Sequence, residues 1–129
     1  MMWEINPKIS IGPIYLGMTE DEYTSVLGRK DEVFRRFEGD DDEVIAYDDI
    51  GVHITVDPDK KVKHISVFQP NNVYWENVQL LGRDIKAVSG DLQSKGVKNQ
   101  PVDVGIWNED GDILLVEVDG LVDGVEMGQ

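Results

Sequence analysis

His53 and His64 are the only imidazoles in the 129-residue sequence, and their surroundings decide whether they could work together. Val52, Ile54 and Val56 alternate with His53 and Thr55, and Asp57-Pro58-Asp59-Lys60-Lys61 supplies turn chemistry before Val62–Phe68. Period-two alternation marks a half-buried strand, so the stretch reads as a hairpin. Pairing Asp57 with Val62 sets Ile54 opposite Ile65 and Val52 opposite Val67, apolar against apolar. His53 and His64 then share the polar face, diagonal to each other. Zinc would need a third ligand, and Asp57 lies on that face only at its far end. Two solvated histidines are the simpler reading, and a metal-dependent enzyme built on His53 and His64 is the weaker alternative.

Other constellations stop short of chemistry. Asn108-Glu109-Asp110-Gly111-Asp112 invites a calcium loop, but the sixth and twelfth positions would be Ile113 and Asp119 instead of Gly and Glu. A hairpin turn accounts for it. With twenty-six Asp and Glu, some pair will match a glycosidase spacing by chance. Ser89-Gly90-Asp91 lacks the strand-turn-helix setting of a nucleophile elbow. The glycines between Gly120 and Gly128 sit among carboxylates that would oppose a phosphate. Cysteine is absent, which removes disulfides, thiolate zinc sites and thiol nucleophiles. The expectation is a protein with no catalytic residues, cofactor or metal.

Binding chemistry is better represented. Trp3, Tyr74, Trp75 and Trp107 fall in or beside loops and turns, and Tyr and Trp anchor interfaces by burying large area at low entropy cost. Packing into the core is the competing reading for each. Tyr74 and Trp75, flanked by Asn71, Asn72, Glu76 and Asn77, are the first pair to test. The net charge is −14, from twelve Lys and Arg against twenty-six Asp and Glu. All basic residues lie between Lys8 and Lys98, whereas eight carboxylates fall between Asp103 and Glu126. Such a surface repels nucleic-acid phosphates and anionic lipid and draws in cationic partners. Trp107, Glu109, Asp110, Asp112 and Glu117 therefore join Tyr74 and Trp75 as candidate binding residues. A merely solubilising surface is the alternative.

These residues need a scaffold. Thr19-Glu20-Asp21-Glu22 is a capping box whose carboxylates complement the helix dipole. Tyr23, Val26 and Leu27 follow at helical spacing, and Gly28 stops the helix. A second helix is expected from Asp84 to Lys95, with Ile85, Val88 and Leu92 on one face and Gly96 beyond. Strands are expected at Val33–Phe37 (a short helix fits nearly as well), Val44–Tyr47, Val52–Val56, Val62–Phe68, Val102–Ile106 and Ile113–Val118. The run Ile113-Leu114-Leu115-Val116 suggests a strand covered on both faces. The residues after Gly120 read as an edge strand or a frayed tail.

The sum is one α+β domain, 1–129, with an antiparallel sheet of about five to seven strands and two short helices on one face. Leu16-Gly17-x-Thr19 and Leu81-Gly82-x-Asp84 each lead into a helix at a constant offset of 65. Two divergent helix-hairpin repeats, 9–69 and 73–129, would explain this, as would coincidence. The N-terminus lacks a signal-peptide pattern, and no apolar stretch approaches the roughly 20 residues that span a bilayer. Cytoplasmic localisation without membrane contact is expected.

The stretch Ile11–Gly28, with Gly17-Met18-Thr19 and Leu27-Gly28, resembles the G-M-T-x-x-E-V-x-x-x-L-G opening of small bacterial modules of the SmpA/OmlA type. The tandem-repeat β-lactamase inhibitor protein has a similar helix-plus-antiparallel-sheet architecture. The resemblance implies a module without catalysis whose sheet or loops hold another protein. The chain departs from the lipoprotein members in lacking their signal peptide and lipid-modified cysteine. Together these readings point to a non-enzymatic acidic module that captures a basic protein, such as a toxin held by its inhibitor or immunity protein. A structural or assembly module, with acidity serving solubility only, is the alternative.

Overall fold

A computed structural model describes residues 2–128. Three short strands, β1 (Met2–Asn6), β2 (Ser10–Ile11) and β3 (Ile14–Tyr15), precede helix α1 (Glu20–Leu27). Four strands follow: β4 (Glu32–Phe34), β5 (Glu43–Tyr47), β6 (Val52–Val56) and β7 (Val62–Phe68). Two more, β8 (Asn72–Trp75) and β9 (Val78–Gln79), precede helix α2 (Ile85–Ser94). The chain closes with β10 (Gln100–Val102), β11 (Gly105–Asn108), β12 (Ile113–Val118) and β13 (Leu121–Gly128).

Both helices start where local chemistry favours it. The Thr19 hydroxyl accepts from the Glu22 amide while Glu22 accepts from the Thr19 amide. That hydrogen bonding holds the Glu22 carboxyl below its usual range. Asp84 caps α2 by accepting from the amides of Lys86 and Ala87. Short helices are marginal alone, and these are secured by burying Tyr23 and Leu27 from α1 and Ile85, Val88 and Leu92 from α2.

The architecture is α+β with two helices and mostly antiparallel sheets. The larger sheet has eight strands in the order β10-β11-β12-β13-β7-β6-β5-β4, every neighbouring pair antiparallel. It consists of two four-stranded meanders, each following a helix, joined through their last strands. The smaller sheet runs β3-β2-β1-β8-β9, with β1 and β8 parallel. One contiguous core unites the helices, the small sheet and one face of the large sheet. That face contributes Ile45, Val52, Ile54, Ile65, Val67, Ile113, Leu115, Val122, Val125 and Met127.

The join has local two-fold character. Ser66 on β7 lies directly opposite Glu126 on β13, and Ile65↔Met127 and Val67↔Val125 flank that pair symmetrically. Each meander has a register shift in its final hairpin, between Thr55 and Val56 in one and between Val116 and Glu117 in the other. These shifts leave Lys63 and Asp123 as the extra residues at corresponding places on β7 and β13.

Several expectations are corrected. The described residues hold thirteen strands, where five to seven were expected, because the segments ahead of both helices also pair. Val102–Ile106 is not one strand, since the chain turns at Asp103–Val104 and divides it into β10 and β11. Residues 121–128 are neither edge nor tail; they form β13, between β12 and β7. Ile54↔Ile65 and Val52↔Val67 pair as expected, but Val56 takes Val62 in place of Asp57. The strand Ile113–Val118 is covered by the core on one face only, with Leu114 and Val116 half-exposed on the other.

Candidate functional site

Side chains alternate across a pleated sheet, so every strand of the large sheet also presents residues away from the helices. Cross-strand pairing places Phe34, Val44, Ala46, His53, Thr55, His64, Ser66 and Phe68 on this second face in the first meander. Glu126, Leu114, Val116, Trp107 and Val102 continue it through the second. Its centre is closed by small residues, with Ala46, Thr55 and Ser66 all buried. Around them Phe68, Leu114, Val116 and Trp107 are half-buried, and Phe34 and Val102 are each 37% exposed. The buried residues of both helices pack into the core on the other face, and only at the β10 end does Val102 border a cleft with α2, beside Ile85, Lys86 and Ser89.

The aromatic groups are braced. His53 meets Phe34 edge-on at 6.2 Å between ring centroids and Phe68 at 5.2 Å. Such edge-to-face contacts favour a fixed ring orientation over a freely rotating one. His53 Nε2 also lies 3.0 Å from Asp48 Oδ1. His64 reaches the other way, across the join, with Nε2 3.0 Å from Glu126 Oε1. This hydrogen bond, assisted more weakly by the charges of His64 and Arg36, holds the Glu126 carboxyl below its usual range against the opposing effect of burial. Arg36 donates to Thr55 Oγ1 at 2.8 Å, and Lys63 donates to Asp42 at 2.8 Å, so the loop after β4 is tied to the same region.

His53 and His64 do share one face, yet each imidazole is occupied by a different carboxylate. Among the described residues, no group of three or more His, Asp or Glu is disposed to hold a metal ion. What the arrangement offers is a stiff, partly apolar surface crossed by hydrogen-bonded polar groups.

The candidate binding residues separate. Trp107 lies on the helix-free face and borders a 260 Å³ cleft shared with Glu109 and Asp110. Those two acids are exposed and Asp112 is half-exposed, all in the turn between β11 and β12. Asn108 braces that turn by accepting from the Gly111 amide at 2.6 Å and donating to the Lys98 carbonyl. Glu117 is at the opposite end of β12, past the register shift, and borders a cleft with Ile85, Lys86 and Ser89 of α2. It therefore faces the helix side and does not join the other acids. Trp75 is a core residue at 4% exposure, and Trp3 is buried likewise. Tyr74, its neighbour on β8, points the other way and borders a small cleft with Glu4, Glu76 and Asn77.

Sequence reasoning missed Glu126, Arg36, Phe34, Phe68 and Leu114 as members of one surface. The hairpin register did supply one signal, because placing His53 and His64 on a common face defines that face for β6 and β7. Its extension needed β13 as a central strand.

Among the described residues, no helix is long and apolar enough to cross a membrane. No curated protein and no solved structure matches the chain. A family model matches residues 8–100, from the turn before β2 to the first residue of β10. This match spans well over half of the sequence, and the chain belongs to the family described as Domain of unknown function (DUF7738).

Proposed function

We propose that this chain is a non-enzymatic protein-binding module that holds a basic protein against the helix-free face of its large sheet. The observation that carries the reading is the row of partly exposed apolar groups on that face, Phe34, Phe68, Trp107, Leu114 and Val116, on a molecule of net charge −14. Long-range attraction would speed the encounter, and the apolar row would supply short-range contact energy. Glu109, Asp110 and Asp112 stand at one end of the row beside Trp107 and would meet cationic side chains at the rim. A toxin neutralised by an inhibitor or immunity protein in the cytoplasm is the kind of partner this describes.

The two helix-plus-meander halves, 9–69 and 73–129, are best read as divergent copies of one unit. The helix starts are offset by 65 residues, and the extra residues Lys63 and Asp123 recur at corresponding places. This supports the resemblance to SmpA/OmlA-type and tandem β-lactamase-inhibitor modules, and with it a binding role.

The test is capture from the native cell with wild-type bait beside Leu114→Lys bait, which places a cation in the apolar row. A basic protein retained by the first and lost by the second supports the proposal. An acidic partner, or one held equally by both baits, contradicts it. Retention indifferent to salt would favour the assembly-module alternative.

A further inference from the structure

The two meanders leave the helix-free face in different states. In the first, residues 35–42 between β4 and β5 fold back over the sheet, where Arg36 donates to Thr55 Oγ1 at 2.8 Å and Asp42 accepts from Lys63 at 2.8 Å. Thr55, the last residue before the register shift of that meander, is 1% exposed beneath this contact. Val116 holds the corresponding place in the second meander. There only Asp103 and Val104 connect β10 to β11, too few to fold over the face, and Val116 stays half-exposed. Strand alternation places Val118 on the same face, paired with Leu121 of β13, and these two are 50% and 43% exposed. With Trp107 and Leu114 they form an apolar strip along β12, and contiguous exposed apolar surface marks an interaction site.

Carboxylates stand at both ends of the strip. Glu109 and Asp110 are exposed in the turn at the start of β12, and Asp119 is exposed in the turn at its end. Asp103 lies in the turn adjoining that second end, where the Glu117 amide donates to the Val104 carbonyl. Residues 99–129 contain no Lys, Arg or His to offset these acids. β12 is six residues long, so the two acidic ends are about 20 Å apart.

The backbone groups of central strands are already paired within the sheet, so a segment laid on this face must satisfy its own N–H and C=O groups. A helix does so internally, whereas an extended segment would bury them unpaired. Strand addition at the adjacent edge is hindered because Pro101, in the middle of β10, has no N–H to offer. A helix here would mirror the two helices on the opposite face and complete a third layer.

We infer that the segment docking on the second meander is a basic amphipathic helix of the partner protein, its apolar stripe against Leu114, Val116, Val118 and Leu121 and Lys or Arg at both of its ends. At about 1.5 Å per residue, cations about 13 residues apart would reach both groups of carboxylates. This rests on the protein-binding role proposed above and adds the form of the bound segment, whose axis follows β12.

The test is titration of the full chain with synthetic peptides, following the indole N–H signals of Trp3, Trp75 and Trp107 by NMR. The probe is a helix-forming peptide of about eighteen residues with leucines along one face and paired lysines at both ends. One control has the same composition with every lysine at one end, and another carries a central proline. The two-ended peptide should move the Trp107 signal saturably, leave those of the buried Trp3 and Trp75 in place, and bind at least about tenfold more tightly than either control. Leu121→Lys and Asp103→Asn/Asp119→Asn, all at exposed positions, should each weaken it by a similar factor while the chain stays folded. An unmoved Trp107 signal at the solubility limit of the probe, or unchanged affinity in Leu121→Lys, would overturn the site. Equal binding of the one-ended peptide would overturn the two-ended charge recognition, and equal binding of the proline peptide would overturn the helix. None of these outcomes involves the captured partner, so failure here leaves the Leu114→Lys capture result to judge the docking role by itself.

Discussion

His64 and Glu126 meet across the join between the two meanders, Nε2 to Oε1 at 3.0 Å, His64 lying two residues along β7 from Ser66, which faces Glu126 at the local two-fold. The contact links the halves on the face away from the core. It should also make their union depend on pH. Glu126 has its folded pKa lowered from the ordinary 4.5, chiefly by this hydrogen bond. A carboxyl lowered on folding stabilises fully above its unfolded value and loses that contribution as pH falls through the folded one. Urea unfolding of wild type and Glu126→Gln should therefore show its full difference above pH 4.5. The difference should shrink as pH falls below 4.5, and one that stays constant or grows below that value would refute the assignment.

Trp75 and Tyr74 should behave oppositely on truncation. Trp75 belongs to the core, so Trp75→Ala should cost about 3–5 kcal/mol in denaturant unfolding. Tyr74→Ala removes a partly exposed ring and should cost less than about 1 kcal/mol. Equal costs would mean that β8 does not present its residues alternately.

The family match ends at residue 100, but the folded unit should not. A chain cut after Gln100 lacks β13, which covers β7 and brings Val122, Val125 and Met127 to the core. It should show no cooperative thermal transition by circular dichroism, whereas residues 1–129 should melt in one step. A cooperative transition in the short chain would show that the first helix-plus-meander half folds alone.

Gly105 on β11 is pressed against the backbone of β12, and a Cβ there would overlap the Leu115 carbonyl. Gly105→Ala should destabilise by about 3 kcal/mol or more, measured by denaturant unfolding, because rigid backbone cannot yield as a side chain can. A near-neutral result would mean that β11 and β12 are spaced more widely.

How much of this was written legibly in the chain depended on side-chain pattern. The helices were readable from Thr19–Glu22 and Asp84, where capping chemistry is local. The β6–β7 pairing was readable because Ile54 and Val52 find apolar partners only in one register. β13 was not, for two reasons. Gly124 and Gly128 occupy positions on its outer face, and the register shift at Val116/Glu117 sets Val122 and Val125 inward three residues apart, which destroys the period-two signal. Short strands such as Ser10–Ile11 and Val78–Gln79 are too brief to show any period. The surface beyond β6 and β7 was hidden for the same reason, since Glu126 and Leu114 join His64 only once β13 is placed centrally.

The docking proposal is tested most directly by association kinetics of the captured partner against ionic strength. Three proteins should be compared: wild type, Glu109→Gln/Asp110→Asn/Asp112→Asn, and Leu114→Lys. The wild-type association rate should fall at least about tenfold between low and high salt. The triple variant should associate more slowly with a flatter salt dependence, and Leu114→Lys should dissociate faster. A wild-type rate that ignores salt, together with dissociation unchanged in Leu114→Lys, would contradict it.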